Sequence, residues 1–462
     1  MATKQAQWVH MVGIGGAGMS GIARILCEQG YKVSGSDLQY NSVSTQLEEM
    51  GVKIYTGHSS SYLQEGVDVL VVSSAIPEDN VEIQAAKRMN IPILKRGQML
   101  AALANKKKGI AIAGSHGKTT TTAMMYTSME QCGLSPSFIV GGELLGNALN
   151  ARQGQGDWFI VEADESDASF LELQPHIAVV TNIENDHLDF YKSVDQIERA
   201  FLQFLNQVDP EGFSLLYGED PLVQSIKDQI QGKSMLFGGD PAFAYSLADW
   251  RASGIGSVFN VYHYGELMGE VLLRVPGYHN ALNALAVIGV CSELGLSFDR
   301  IRESLQEFRG AKRRFELLGK VKGTTVVDDY AHHPTEVRAS LQAARAATAG
   351  KVAVVFQPHR YTRTRLLARD FGNAFKEADQ VIITDVYPAG EKPIPGISGK
   401  TIYEEARKNC RNVRYIETLE DAESFLRNAI TKGEIDLLMT MGAGDIYKLG
   451  LRLVEPSCVP QV

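Results

Sequence analysis

The length, composition and charge of the chain indicate a globular protein of several domains. It has 462 residues, of which 44% are hydrophobic and 21% are charged, as in typical soluble proteins. The formal net charge of −9 argues against a general binder of nucleic acids or anionic membranes. Five scattered cysteines predict reduced thiols of a cytoplasmic protein rather than disulfides or a zinc site.

Three successive stretches alternate strand-like and helix-like patterns, which predicts an α/β fold with parallel sheets. We expect domains at residues 1–107, 108–312 and 313–462. The charged run Lys106-Lys-Lys108 is interpreted as a solvated linker, and Lys312-Arg-Arg314 marks the second junction. The first ten residues lack a signal-peptide pattern, and no apolar run reaches membrane-spanning length.

A glycine-rich turn follows the first predicted strand, Val9–Val12. The segment Gly13-Ile-Gly-Gly-Ala-Gly18 fits G-x-G-x-x-G, and Asp37 ends the next strand. This spacing is typical of a turn that approaches a pyrophosphate, with an acid on the ribose. A dinucleotide such as NAD and a nucleotide sugar both carry these groups, and a tight turn without a ligand is the third alternative.

A second glycine turn follows the predicted strand Ile110–Ala113. In Gly114-Ser-His-Gly-Lys-Thr119, backbone N–H groups and a helix N-terminus converge on one point, which suits a phosphate. Lys118 would contact the β- and γ-phosphates of ATP, and the Thr119 hydroxyl would bind Mg²⁺. With an ATP loop present, the first glycine turn is better explained by a nucleotide sugar than by NAD.

Two later strands end in polar groups. After Trp158–Val161 comes Glu162-Ala-Asp-Glu-Ser-Asp167, where Glu162 is the first acid off the strand and the predicted metal ligand. Glu165 and Asp167 are either functional or part of a solvated turn. After Ile177–Thr181, His187 could bind a second divalent ion, either Mg²⁺ or Mn²⁺, or only donate hydrogen bonds.

A hairpin and a helix close the predicted second domain. Strands Val258–Tyr264 and Met268–Val275 turn at Tyr264-Gly-Glu266, and a helix is predicted over Asn280–Leu294. Asn280 and Asn283 lie on one helix face. Their amides could contact an adenine edge, or Asn280 could cap the helix, and the spacing does not separate these alternatives.

In the third stretch, two polar segments follow apolar strands: Asp328-Asp-Tyr-Ala-His-His-Pro-Thr335 and Phe356-Gln-Pro-His-Arg-Tyr-Thr-Arg-Thr364. Both are expected at the carboxyl edge of a sheet, where ligands bind. Arg360 and Arg363 could clamp a carboxylate and neutralise phosphate charge. A helix is predicted over Leu366–Glu377.

Taken in order, these motifs resemble the Mur ligases over essentially the whole chain. The segments that carry the resemblance are Gly13–Gly18, Ser73–Pro77, Gly114–Thr119, Glu162–Asp167, Thr181–His187, His279-Asn280 with Asn283, Arg313–Phe315, Asp328–Glu336, His359–Thr364, Asp385–Gly390 and Gly442–Asp445. A match of so many segments in sequence order is more specific than any one motif.

The resemblance implies an ADP-forming amide ligase of peptidoglycan synthesis in the cytoplasm, monomeric or homodimeric. A Rossmann-like N-terminal domain would bind UDP-N-acetylmuramate, a P-loop-type central domain would bind ATP with Mg²⁺, and a Rossmann-like C-terminal domain would bind L-alanine. Family members that instead attach a murein tripeptide to the same UDP-sugar are the nearest alternative. An NAD-dependent oxidoreductase, or a nucleotide-regulated binding protein without catalysis, is more remote.

Site residues follow from the same resemblance. Those expected at the UDP-sugar are Gly13, Gly15, Gly16, Ala17, Gly18, Ser36, Asp37, His58, Ser73 and Ser74. Those expected at ATP are Gly114, Ser115, His116, Gly117, Lys118, Thr119, Thr120, Asn280, Asn283 and Arg314, with Thr119, Glu162 and His187 at the metal. Those expected at the amino acid are Tyr330, His332, Arg360 and Arg363; the catalytic set is Lys118, Glu162, His187, His332, Arg360 and Arg363.

The chain departs from the family pattern at two places. Some Mur ligases carry a carbamylated lysine after the Asp-His segment, but the comparable stretch here, Glu198-Arg-Ala-Phe201, has no lysine. Asn150 stands where a histidine or similar polar residue is expected, which leaves its part in sugar binding open.

Overall fold

A computed structural model describes residues 7–146, 149–184 and 188–455. The chain divides into two compact units. Unit 1 takes in the chain up to Ala248 with Val261–Gly269 and Leu282–Leu305, and unit 2 takes in Asp249–Asn260, Glu270–Ala281 and the chain from Gln306. Among the described residues, no helix is both long and apolar enough to cross a bilayer.

The first sheet is parallel, with strand order β3-β2-β1-β4-β5. Its strands are β1 Trp8–Val12, β2 Lys32–Asp37, β3 Lys53–Thr56, β4 Val69–Val72 and β5 Ile93–Lys95, connected by α1 Ala17–Glu28, α2 Ser42–Glu49, α3 Val81–Met89 and α4 Arg96–Ala104. Every residue of β1 is buried, as expected for a central strand covered on both faces.

The second sheet has the order β15-β14-β13-β12-β11-β10-β6-β9-β7-β8. Its strands are β6 Lys108–Ala113, β7 Ser137–Ile139, β8 Ala151–Arg152, β9 Trp158–Glu162, β10 Ile177–Val180, β11 Phe213–Tyr217, β12 Ser234–Gly238, β13 Tyr245–Ala252, β14 Ser257–His263 and β15 Glu266–Leu273. The associated helices are α5 Lys118–Gln131, α6 Leu188–Tyr191, α7 Val194–Leu205, α8 Pro221–Ile226, α9 Tyr278–Glu293 and α10 Phe298–Glu307.

Within this sheet, β6 lies between β9 and β10 and pairs in parallel with both. The second glycine turn, Gly114–Thr119, which is predicted to bind phosphate and is called the phosphate loop below, therefore leaves the middle of the sheet at its carboxyl edge, as the sequence predicts. The predicted hairpin is formed by β14 and β15, which turn at Tyr264 and Gly265 with φ of 47° and 81°. Two positive φ values at the centre of a two-residue turn are typical of a β-hairpin.

The third sheet has the order β16-β17-β21-β18-β19-β20. Its strands are β16 Glu316–Val321, β17 Thr324–Asp329, β18 Val352–Phe356, β19 Gln380–Ile383, β20 Val413–Tyr415 and β21 Leu437–Met441, with helices α11 Pro334–Ala347, α12 Tyr361–Gly372, α13 Gly399–Ala406, α14 Leu419–Thr431 and α15 Tyr447–Val454. Only β16 pairs antiparallel among the described strand pairs of this sheet. The predicted α/β class is confirmed in all three sheets.

Two predicted details need correction. Lys106 and Lys108 are exposed, as expected of a solvated run, but Lys108 begins β6 and Lys107 Nζ donates to the carbonyls of Gly154 and Gly156 at 2.9 and 2.7 Å. The helix predicted from Leu366 begins at Tyr361 and ends at Gly372. Arg363 therefore lies in the first turn of α12 rather than in a loop.

Unit 1 has a continuous apolar core that joins its two sheets. One cluster of buried side chains includes Val9 and Ile22 near the first sheet and Ala113 and Ile139 of the second. A Cβ at Gly21 would lie 3.0 Å from the Ile139 Cγ2 atom, so α1 packs closely against β7. This packing fixes the position of the first glycine turn relative to the second sheet.

Candidate active site

The phosphate loop depends on glycine at both of its ends. Gly114 and Gly117 have φ of 131° and 88°, values that L side chains rarely adopt. A Cβ at Gly114 would lie 2.2 Å from Thr181 Oγ1, and one at Gly117 would lie 2.7 Å from Asn283 Oδ1. Both positions therefore need glycine because of backbone conformation and because of close neighbours.

The residues after β10 hold the loop in place. His116 N donates to the Asn182 side-chain oxygen at 2.9 Å, and Asn182 Nδ2 donates back to the His116 carbonyl at 2.9 Å. Ser115 N donates to the Asn182 carbonyl at 3.1 Å, and Glu184 N donates to Ser115 Oγ at 2.8 Å. These bonds bring the Thr181–Glu184 segment to the predicted phosphate loop.

Lys118 is held by a buried carboxylate that the predicted site did not include. Its Nζ lies 2.8 and 2.9 Å from the two carboxylate oxygens of Glu165 and also donates to the Gly114 carbonyl. Burial alone would lower the pKa of Lys118, but the charges of Glu165 and Asp164 raise it above its usual value. Lys118 is therefore a stable cation, as phosphate binding requires.

The candidate metal ligands provide oxygen donors at the same edge of the sheet. Thr119 is buried in the first turn of α5, and Glu162 ends β9, where its Oε1 accepts from Gly141 N at 2.9 Å. A hydroxyl and a carboxylate fit the hard-ligand preference of Mg²⁺. His187 lies outside the described residues.

The first glycine turn leads directly into α1, as the predicted pyrophosphate site requires. Gly13 has φ of 80°, and Gly16 caps α1 without a side-chain hydrogen bond, so the helix N-terminus has no side-chain cap. Asp37 Oδ2 accepts from Gly15 N at 2.9 Å. Asp37 thus braces the turn, and a Cβ at Gly15 would lie 3.0 Å from its Oδ2.

A buried polar network lies beside this turn, and sequence reasoning found only part of it. The carboxylate of Glu82 is fully buried and accepts from Ser36 at 2.8 Å, with His58 at 3.0 Å and His10 at 2.8 Å. Burial would raise the pKa of Glu82, but hydrogen bonds from His10 and Ser36 lower it overall. The predicted residues Ser36 and His58 are brought together by Glu82, which no motif identified.

A cavity of about 290 Å³ extends along the glycine turn. It is lined by Gly16–Gly18, by Ser73 and Ser74, by Gly141 and Glu162, and by Arg96 and Asp164. Part of the predicted UDP-sugar set, Gly16–Gly18 with Ser73 and Ser74, therefore shares one cavity with the predicted metal ligand Glu162.

Asn150 has a structural role in the same region. Its Nδ2 donates to the Ala17 carbonyl at 3.1 Å and to Ser20 Oγ at 2.9 Å, both in α1. The Asn150 amide therefore connects the start of β8 to α1, the helix that follows the first glycine turn.

The two asparagines of α9 have different surroundings. The helix begins at Tyr278, so Asn280 lies in its first turn rather than at the cap, and Asn280 Nδ2 donates to the Pro276 carbonyl at 2.8 Å. Asn283 is the residue that approaches Gly117 of the phosphate loop. The N-cap interpretation of Asn280 is therefore wrong, and the adenine interpretation stays a prediction.

In unit 2, two histidines and several arginines lie at the carboxyl edge of the third sheet. His332 lies 5.7 Å from His359 between ring centres, and Arg363 Nη1 donates to His359 Nδ1 at 3.2 Å. Burial lowers the pKa of His332 to about 4 and that of His359 to about 3. Both imidazoles are therefore neutral at pH 7.

The tyrosine of this segment is flanked by cations. Tyr330 lies beneath the guanidinium groups of Arg313 and Arg314, at 5.0 and 5.2 Å from its ring centre. Arg314, predicted at ATP, lies 3.6 Å from a Glu336 oxygen. Arg360 precedes α12 with φ of 69°, a strained value for a non-glycine residue that often marks a functional site.

Some residues of these sites left no clear signal in the sequence. The sequence around Glu165 is also compatible with a solvated turn, yet Glu165 is buried against Lys118. Glu82, Arg96 and His359 stand outside the predicted sets. His359 lies three residues after the end of β18 at Phe356, in a segment expected at the carboxyl edge of the sheet, and this signal could have included it. Glu82 and Arg96 belong to helices whose approach to the site depends on tertiary packing.

Three family models match successive parts of the chain. Residues 8–108 match the model of the "Mur ligase family, catalytic domain", residues 112–291 the "Mur ligase middle domain", and residues 313–444 the "Mur ligase, glutamate ligase domain". The chain is 57% identical to the UDP-N-acetylmuramate–L-alanine ligase of Syntrophomonas wolfei subsp. wolfei, over 98% of each chain.

Solved structures give the same relationship. The UDP-N-acetylmuramate-alanine ligase of Thermotoga maritima superposes with a TM-score of 0.82 at 31% identity, covering 97% of this chain and 98% of that one. A murein peptide ligase of Psychrobacter arcticus has a TM-score of 0.72 at 24% identity, covering 97% of this chain and 98% of that one. At that identity the second comparison supports the fold alone.

Proposed function

The chain belongs to the Mur ligase family, and from this premise we propose that it joins L-alanine to the lactyl carboxylate of UDP-N-acetylmuramate while ATP is converted to ADP and phosphate. The 57% identity to a relative of that name supports this specificity. Such a reaction belongs to peptidoglycan precursor synthesis and uses cytoplasmic substrates. Domains at residues 1–107, 108–312 and 313–462 remain part of the proposal.

The shared cavity of unit 1 is the observation that carries the proposal. Because it extends from the glycine turn to Glu162, a pyrophosphate bound at Gly13–Gly18 would leave the sugar and its lactyl arm directed toward the phosphate loop. An NAD-dependent oxidoreductase would have no use for the cation Lys118, which interacts electrostatically with Glu162 and Asp164 of the cavity wall. This arrangement favours a sugar nucleotide that reacts with ATP.

In the proposed mechanism, the lactyl carboxylate attacks the γ-phosphorus of ATP, giving an acyl phosphate and ADP. The amine of alanine then attacks the acyl carbon, and phosphate leaves. Lys118 would neutralise phosphate charge, and the loop N–H groups would fix its orientation. Tyr330, His332, Arg360 and Arg363 are proposed to bind alanine, with Arg314, Asn280 and Asn283 at ATP.

The fit of oxygen donors supports a magnesium site at Thr119 and Glu162, completed in the proposal by His187. When bound, the ion would stabilise the charge of the transferring phosphoryl group. Lys118 stays protonated and positively charged near pH 7, because Glu165 raises its pKa. The absence of nucleophilic serine or cysteine from the predicted catalytic set agrees with direct phosphoryl transfer.

The test is ADP release with Mg²⁺, ATP and UDP-N-acetylmuramate, with L-alanine or a murein tripeptide added in parallel. Release that requires both the UDP-sugar and alanine is expected. Dependence on the tripeptide would transfer the assignment to the tripeptide-adding members of the family. If neither amine supports release, the ligase proposal fails.

A further inference from the structure

Arg96 is a cation in the cavity of unit 1 that none of the predicted site motifs contains. It is the first residue of α4, and its side chain is only 16% exposed. It lines the same cavity as Gly16–Gly18 and Ser73. A charged side chain that is mostly withdrawn from water but still faces a cavity requires an explanation, since desolvating a charge is costly.

The guanidinium lies against the start of α1. A Cβ at Gly18 would be 3.2 Å from Arg96 Cδ and 3.3 Å from Arg96 Nη1. The first turn of α1 has no acidic residue, and Gly16 makes no side-chain cap. The partial positive charge of a helix N-terminus and a guanidinium therefore lie together, an arrangement that favours an anion.

The carboxylate of Asp164, two residues after the end of β9, holds the Arg96 guanidinium. Arg96 Nη2 donates to Asp164 Oδ2 at 2.8 Å, and Asp167 Oδ2 lies 3.7 Å away. Burial would raise the pKa of Asp164, but Arg96 and then Lys118 lower it overall. Because a guanidinium has five N–H donors, a single hydrogen bond to Asp164 leaves donors for a second anion.

We propose that Arg96 binds the pyrophosphate of the nucleotide sugar, and that Asp164 holds the guanidinium at the glycine turn before the ligand arrives. The assignment rests on the proposed function and adds to it a positively charged side chain for the pyrophosphate. Planar guanidinium groups bind phosphate oxygens through two parallel hydrogen bonds. A purely structural ion pair with Asp164 is the alternative.

The test compares UDP with uridine, because only UDP carries the pyrophosphate. Arg96→Gln is expected to weaken binding of UDP and of UDP-N-acetylmuramate roughly ten- to hundredfold by titration calorimetry, as for a lost charge-assisted hydrogen bond. Binding of uridine should stay unchanged. Arg96→Lys should lose less affinity for UDP, because lysine keeps the positive charge but lacks the parallel N–H donors of a guanidinium.

Two further variants separate ligand binding from folding. Arg88→Gln is the matched control, since Arg88 is an exposed arginine of α3 and its loss should leave UDP affinity unchanged. Gly18→Ala keeps the charges of Arg96 and Asp164 but adds a methyl group next to the Arg96 guanidinium. It should weaken UDP binding several-fold while the thermal unfolding midpoint is kept.

The outcomes distinguish this inference from the proposed function. If the unaltered protein fails to bind UDP-N-acetylmuramate, the proposed function itself is wrong. If it binds the UDP-sugar and folded Arg96→Gln binds UDP equally well, only the role of Arg96 is overturned. An equal loss of UDP and uridine affinity would assign Arg96 a structural role and also overturn the inference.

Discussion

Three carboxylates at the end of β9 and just beyond it, Glu162, Asp164 and Glu165, resemble one another in sequence but have different partners in the structure. Glu162 accepts from Gly141, Asp164 pairs with Arg96, and Glu165 pairs with Lys118. Only the first has a position that a strand-end rule predicts. The role of each acid is therefore set by which cation the fold brings to it.

Glu165→Gln tests the buried ion pair of the phosphate loop. Removal of the carboxylate leaves Lys118 charged but without its main partner, so the free energy of unfolding should fall by on the order of 3 kcal/mol. Urea unfolding measures this change. Glu65→Gln, at an exposed position of the same unit, should change stability by less than about 0.5 kcal/mol, and an equal effect of the two variants would contradict the prediction.

His359 predicts a dependence of stability on pH. Burial lowers its pKa from 6.5 to about 3 in the folded chain, so the unfolded chain binds the proton more tightly. The stability that the neutral imidazole contributes is complete above about pH 6.5 and is lost as pH falls toward the folded-state value. His359→Asn should reduce the slope of unfolding free energy against pH by up to about 1.4 kcal/mol per pH unit.

The measurement for His359 is urea unfolding at several pH values between 7 and 5 (roughly the range in which histidine titrates). Parallel slopes for the unaltered chain and His359→Asn would show that His359 is not buried as a neutral group.

Short loops between strands and helices carry most of the site, and their shape depends on a few glycines. Gly117 and Gly133 share nearly the same φ, 88° and 86°. They differ in surroundings, because a Cβ at Gly117 would meet Asn283 whereas one at Gly133 would meet nothing within 4 Å. This pair separates backbone strain from steric contact.

Gly117→Ala should therefore affect both stability and the use of ATP, and Gly133→Ala only stability. Backbone strain alone costs about 1 kcal/mol, so the free energy of unfolding in urea should fall by that amount in both variants. Gly117→Ala should in addition raise the KM for ATP at least several-fold, because Asn283 or the loop must move. A KM for ATP that is equal in both variants would show that the contact with Asn283 has no effect on the loop.

At the scale of the whole molecule, the two sheets of unit 1 share one core, so the glycine turn and the phosphate loop belong to one compact body. The two glycine turns and the start of α5 at Lys118 could be predicted, since each follows from local spacing. The α/β class and the polar ends of the central strands were also predicted correctly. The shared core could not be predicted, because it depends on which helix faces meet.

Ligand-dependent stability tests the assignment of the first glycine turn. UDP-N-acetylmuramate at about one hundred times its Kd should stabilise the folded chain by about 2.7 kcal/mol and raise the thermal unfolding midpoint. NAD at the same concentration should not change it, since no nicotinamide site is proposed. A shift with NAD and none with the UDP-sugar would contradict the assignment.

The sequence by itself determined the fold class, the positions of both glycine turns, and Lys118 and Glu162 as candidates, because these features depend on residues close together in the chain. The tertiary structure decided which distant groups become partners: Glu165 for Lys118, Glu82 for Ser36 and His58, and Arg96 for Gly18 and Asp164. Such partners depend on helix packing across sheets. Local spacing carries no information about that packing. Burial among these partners then shifts the pKa of groups such as Lys118 and Glu82.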